Sequence, residues 1–230
     1  MFRFILLFLV NISLLSALDL PSSVESRVIS IQDNTINLSG NIPSGRAGIV
    51  IHDYGKGLRA ITHTAISLKG NRALIKKYLG LGHDNIPNIK TAVRVGDRVL
   101  FGNLYSNVLL IAPNERVYKS VTESFSDRFW IHPDLYANFF IENGDDIVTI
   151  KNLREFAVKN LVGLVAIVAR DGIRVLDPIS GKYLRRLPLT LNITEAQTPF
   201  YARFENIDDT FSGTSAKNLA KYFKMVEEIR

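Results

Sequence analysis

Four histidines, His52, His63, His83 and His132, are the first side chains to test for chemistry. A helical zinc site needs two of them at i and i+4, so that both imidazoles lie on one face. None has that spacing. His52-Asp53 and His83-Asp84 set a carboxylate beside an imidazole. Adjacent side chains on a strand point to opposite faces, so neither pair chelates by itself. His132 precedes Pro133 and reads as a helix-entry residue. The glycine-rich stretches "GKG" (55–57) and "GLGHDN" (80–85) lack the Gly-x-Gly-x-x-Gly spacing, and no Gly-Lys-Ser/Thr occurs. Both read as loops, not phosphate cradles. Asp145 and Asp146 in "GDD" (144–146) lack the further spaced oxygen ligands of a calcium loop and read as a solvated turn. No serine sits in a Gly-x-Ser-x-Gly elbow. Ser212-Gly-Thr-Ser215 reads as a helix cap, and with no cysteine the thiol chemistries are absent. No catalytic, cofactor-binding or metal-ligating residue is assigned, no cofactor is expected, and the chain reads as a non-enzyme.

The remaining candidate is "NVLLIAPNERVY" (107–118), an aliphatic run that stops at a polar tip and continues in a helical pattern. Such strand ends are where α/β enzymes place ligands. Packing accounts for it equally: Pro113 ends a buried strand at Val108–Ala112, and Asn114 caps a helix over 115–124.

The elements around these residues divide the chain. In 28–38, "VISIQDNTINL", two β-patterned runs flank Asp33-Asn34 as a hairpin. Further strands are expected at 47–52 and 59–69. "RALIKKYLGLG" (72–82) reads as a strand and loop or a short helix. Gly96-Asp97 marks a tight turn or strand entry between two valine-rich runs in 92–101. Short strands separated by turn residues imply a small antiparallel β-barrel or sandwich, assigned to 18–105. An α/β domain with a mixed sheet and a C-terminal helix is assigned to 106–230, so the fold class is mixed α+β / α/β. Pro133 opens a second helix with an apolar stripe of Leu135, Tyr136, Phe139 and Phe140. Asn152 and Glu155 suggest a capping-box start to a third, with Leu153, Phe156 and Ala157 inward. Strands follow at 161–169, 173–177 and 183–189, separated by Asp171-Gly172 and Pro178–Gly181. The closing helix, about 214–229, sets Leu219, Tyr222, Phe223 and Val226 against Lys217, Lys221 and Lys224.

Export is the expectation at the other end. Arg3, an apolar run from Phe4 to Leu15 and the small pair Ser16-Ala17 have the layout of a signal peptide over residues 1–17, cleaved after Ala17. An uncleaved anchor is the alternative; the run is shorter than the ~20 residues that span a bilayer. An exported chain without cysteine relies on its core and suits a bacterial periplasm. Charge is uneven: residues 18–105 carry 11 Lys/Arg against 6 Asp/Glu, and 106–230 carry 16 of each. A basic excess in that compartment speaks to association with peptidoglycan, lipid headgroups or an acidic protein, or simply to solubility; nucleic acid is not expected.

Seven segments, in this order, resemble the N-terminal domain of the bacterial plasminogen-binding proteins: "VGDRVLF", "LLIAPNERVY", "HPDLYANFF", "KNLREFAVKNLVGLVAIV", "RVLDPISGKYL", "TPFYARFENI" and "FSGTSAKN". They cover about 93–225; residues 24–92 match in general pattern. The resemblance implies an exported, non-enzymatic interaction protein. Members of that family continue into a lysine-rich tail ending in lysine, whereas this sequence stops at "KMVEEIR" and reads as a tail-less member. Plasminogen kringles bind a cation and a carboxylate at a fixed separation, so a contact here falls on Lys224, Glu228 and Arg230, although an i, i+4 salt bridge is the plainer reading of the first two. The primary expectation is a periplasmic scaffold docking onto a larger cell-envelope assembly, with flagellar motor components as example partners by analogy. The alternative is a surface-exposed plasminogen-binding adhesin.

Overall fold

A computed structural model describes residues 19–78, 89–145, 147–190, 192–203 and 216–229. The expected leader (1–17), His83, "GLGHDN", Asp146, Ser212–Ser215 and Arg230 lie outside the described residues.

Six antiparallel strands close into a barrel: β1 (Val24–Gln32), β2 (Thr35–Leu38), β3 (Ala47–Gly55), β4 (Leu58–Ser67), β5 (Arg72–Lys77) and β6 (Arg98–Phe101). Their order around the barrel is β1-β2-β5-β4-β3-β6, with β6 pairing both β1 and β3. The barrel form of the expected fold is the one found. Strands must bend to close a ring this small, and register shifts in β1 at Val28/Ser30 and in β3 at Val50/Ile51 and Asp53/Gly55 supply the bend. Alternate residues point inward, so Val28, Ile36, Leu38, Val50, Val99 and Phe101 fill the interior. Gly48 is there for space: a Cβ on it would lie 2.5 Å from the Leu100 carbonyl oxygen across the β3–β6 seam. Asp33, at φ 51°, turns the expected hairpin between β1 and β2. Residues 72–77 are the strand β5, and the valine run before Gly96-Asp97 is not a strand.

The second sheet runs β11-β10-β9-β7-β8, from β7 (Asn107–Ile111), β8 (Phe129–Ile131), β9 (Leu164–Ala169), β10 (Gly172–Asp177) and β11 (Lys182–Leu187). β7 is parallel to β8 and β9; β9–β10 and β10–β11 are antiparallel, so the sheet is mixed as expected. Helices on both faces explain why β7 and β9 read as unbroken aliphatic runs. Val108, Leu110, Leu164, Ala166 and Val168 pack with Val117 and Val121 of α1 (Glu115–Ser124). Leu109, Ile111, Val165 and Ile167 face α2 (Pro133–Glu142), α3 (Ile150–Asn160) and α4 (Ala216–Glu227). The buried Tyr222 hydroxyl donates to the carbonyls of Val168 (2.9 Å) and Ile111 (3.2 Å), which docks the last helix on the sheet.

Three expectations are corrected. Leu135 is 56% exposed, so the α2 stripe consists of Tyr136, Ala137, Phe139 and Phe140. Helix α3 starts two residues before Asn152: Thr149 is the N-cap, and Asn152 completes its capping box as the N3 partner. β8 was not foreseen, because three residues carry no readable alternation.

The barrel and the second sheet meet at one buried carboxylate. Asp177, 0% exposed at the end of β10, accepts through Oδ2 from the Ala47 N–H (2.7 Å) and the Tyr105 hydroxyl (2.6 Å). Its Oδ1 accepts from the N–H groups of Ile179 (3.0 Å) and Ser180 (2.9 Å). The Ser180 hydroxyl donates back to the Gly45 carbonyl at 2.6 Å. "LDPISG" is thus both a turn and the joint that fixes barrel to sheet.

Candidate binding sites: the barrel mouth and the last helix

Cross-strand pairing puts Arg27 (β1) directly opposite Arg98 (β6), and Arg98 opposite Ile51 (β3). Like charges facing each other across a ladder cost stability. Glu25 relieves one: its Oε1 and Oε2 accept from Arg98 Nε (3.0 Å) and Nη2 (2.8 Å). The hydrogen bond from Arg98 holds Glu25 below the ordinary carboxylate range. Arg27 uses one N–H on the Gly96 carbonyl, at 3.2 Å. Asp53 is held low by the Gly55 N–H (2.8 Å) and then by Arg59 Nε (3.1 Å).

These residues surround a cavity of about 540 Å³, within the usual range for ligand sites. At its base is Asp97, 6% exposed. Its Oδ1 is 2.6 Å from His52 Nδ1, and its Oδ2 accepts from the Arg94 N–H at 2.8 Å. Gly96, at φ 92°, makes the turn that brings Asp97 back toward Arg94. Gly96-Asp97 is therefore a turn, and its carboxylate pins the mouth. The guanidinium of Arg94 has no partner among the described residues, and Val95 beside it is 66% exposed. His63 lies on the neighbouring β4, with Nδ1 buried and unpartnered. Burial pushes its pKa down and Lys77 adds to that, while Asp97 opposes.

The strand ends at "APNERVY" are filled by the protein itself. The Asn114 side chain accepts from the Val117 N–H (2.9 Å) and donates to the Glu195 carbonyl (2.8 Å). His132 caps α2 by accepting from the Asp134 N–H at 3.2 Å, and its ring lies 5.5 Å from that of Tyr118. Burial lowers the His132 pKa, against the pull of Asp134. Asp134 binds the Arg203 N–H and Nε, both at 2.8 Å. This tip packs and caps. His52 and His63 belong to the barrel and His132 to the second sheet, so the structure does not bring the three together. Among the described residues no three His, Asp or Glu side chains group to hold a metal. Asp145 donates its N–H to the Phe140 carbonyl at a helix end.

Lys224 on α4 and Glu228 just past its end are exposed one turn apart, and the Glu228 N–H donates to the Lys224 carbonyl at 3.2 Å. Among the described residues the two side chains form no ion pair with each other, and both are exposed. Sequence reasoning missed the arginine-lined mouth; its only signal was the basic excess of residues 18–105. No helix among the described residues is long and apolar enough to cross a membrane.

A family described as "Plasminogen-binding protein pgbA N-terminal" matches residues 23–229, spanning both the barrel and the second sheet. Two relatives, each named plasminogen-binding protein PgbA and from Helicobacter pylori strains J99 and 26695, are 31% identical over 157 residues. The alignments cover 66% of this chain and 34% of each relative, so the chain spans about a third of their length. No solved structure matches it.

Proposed function

This chain belongs to the PgbA N-terminal family, and on that premise we propose that it is an exported, non-enzymatic protein-binding module whose partner is plasminogen. The family match across residues 23–229 carries this reading. Exposed Lys224 and Glu228 support it, because an amine and a carboxylate one helical turn apart imitate what a lysine-binding kringle accepts. The test is surface plasmon resonance of the purified chain on immobilised plasminogen. Binding should be displaced by 6-aminohexanoic acid and weakened about fivefold by Lys224→Ala with Glu228→Ala, the scale of one charge-assisted contact. No displaceable binding would refute it.

The open, arginine-lined cavity supports a second reading. In it the shared N-terminal region docks onto a periplasmic envelope assembly, such as a flagellar motor structure. Protease added to intact cells separates the two. A surface receptor is cleaved, whereas a scaffold is protected and co-purifies with its assembly.

A further inference from the structure

We infer that the arginine-lined mouth of the barrel is a binding site for a carboxylate-rich polypeptide segment, with Arg27 and Arg94 as the guanidiniums that take its side chains. Four arginines border one concave cavity of about 540 Å³. Two are already neutralised, Arg98 by Glu25 and Arg59 by Asp53. Asp97 is occupied by His52 and the Arg94 N–H. Arg27 and Arg94 therefore line the cavity with no ion pair to a carboxylate among the described residues; the Arg27 charge reaches Glu25 only at longer range, and Arg27 stands opposite another arginine. An arriving carboxylate relieves that repulsion and is gripped by planar, two-pronged donors, the strongest charge-assisted geometry available to a side chain.

The shape decides between a polypeptide and a membrane. A uniformly anionic lipid surface is flat, and the half-exposed Glu25 and Asp53 carboxylates on the rim would be pushed against its headgroups. A chain with spaced carboxylates enters a concavity and avoids those two positions. Val95, 66% exposed, and the half-buried Ile51 give apolar contact beside the cations, which suits side chains between the acidic ones. This inference does not rest on plasminogen being the partner; it names a second recognition chemistry on the opposite side of the sequence from the last helix.

The experiment is fluorescence anisotropy of a labelled peptide of alternating Glu and Ala with the purified chain, circular dichroism verifying the fold of each variant. Saturable binding that weakens with salt is expected. Arg27→Gln with Arg94→Gln should raise the Kd about tenfold. Lys76→Gln with Lys77→Gln removes the same charge from β5 and should change it less than about twofold. Glu25→Gln frees Arg98 and should tighten binding about threefold. Equal losses from the arginine and lysine pairs would reduce the effect to bulk charge and overturn the site. So would arginine-dependent binding to phosphatidylglycerol vesicles with none to the peptide. Peptide binding that persists in a chain unable to bind plasminogen would sink the plasminogen reading and leave this one standing.

Discussion

Among the described residues two aspartates are buried, in contrasting ways. In the seam, Asp177 is met by four neutral donors, two from the turn that follows it and two from outside that turn. Its charge is fully solvated by the protein, and burial together with that charge drives the Tyr105 phenol well above its normal range. In the mouth, Asp97 shares its charge with an imidazole and one N–H, inside a ring of arginines that outnumber their partners. A carboxylate saturated by fixed neutral donors acts as a joint. One set beside an imidazole and among arginines without ion-pair partners leaves charge at the surface. The seam carboxylate has its donors within the fold, whereas the mouth keeps two arginines without an ion-pair partner among the described residues.

The sharpest break in this comparison is substitution of the two aspartates. Asp177→Ala leaves four donors without their acceptor and should lower the unfolding free energy by about 3–4 kcal/mol in urea melts. It should also raise hydrogen exchange at the Ala47 amide, since that N–H loses its acceptor. Asp97→Asn keeps one acceptor oxygen, for His52 or for the Arg94 N–H, and should cost about 1–2 kcal/mol. Equal losses would mean that the mouth is as structural as the seam. Glycines sharpen the same contrast. Gly163 is closely packed beside the link between the two sheets: a Cβ there would lie 2.0 Å from the Leu104 carbonyl oxygen. Gly163→Ala should cost about 2–3 kcal/mol through forced backbone movement. Gly96 has open space around it and is needed only for its φ of 92°. Gly96→Ala should cost about 1 kcal/mol and disturb peptide binding more than stability.

Much of the scaffold was legible in the sequence because its signals are local. Asp33-Asn34, Asn114 and His132-Pro133 each carry turn or cap chemistry within a few residues, and each marks an element end in the structure. Aliphatic runs at 108–112 and 161–169 announced strands buried on both faces, found at 107–111 and 164–169. Where the reading failed, the deciding partner was distant or the element too short. Leu135 satisfies the helical spacing but lies just outside the buried arc. Thr149 and Asn152 compete for one cap, and Tyr136, donating to Asn152 Oδ1 at 2.8 Å, helps to fix Asn152 as the N3 partner. The mouth was invisible for a stronger reason. Arg27 and Arg98 are 71 positions apart, and only the closure of β6 onto β1 makes them neighbours.

The smallest effect concerns protons and divides the two regions once more. His63 in the barrel and His132 in the second sheet are each lowered by burial from a normal value of 6.5. His63 is opposed by Asp97 and reinforced by Lys77; His132 is opposed by Asp134 and reinforced by Arg203. A histidine whose folded pKa is depressed binds its proton better when unfolded. Its contribution is fully present above pH ~6.5 and is lost as pH falls through that value toward the folded pKa. Glu25, Asp53 and Asp134 are also lowered, but from 4.5 or 3.8, so their losses begin only in more acid solution. Melting temperature should therefore fall slightly between pH 7 and pH 5 from these two histidines. His63→Gln should remove part of that slope from the barrel. His132→Asn keeps a capping side chain for the Asp134 N–H and should remove the rest. If the slope survives both substitutions, neither of these two histidines is its source and the proton is taken up elsewhere in the fold.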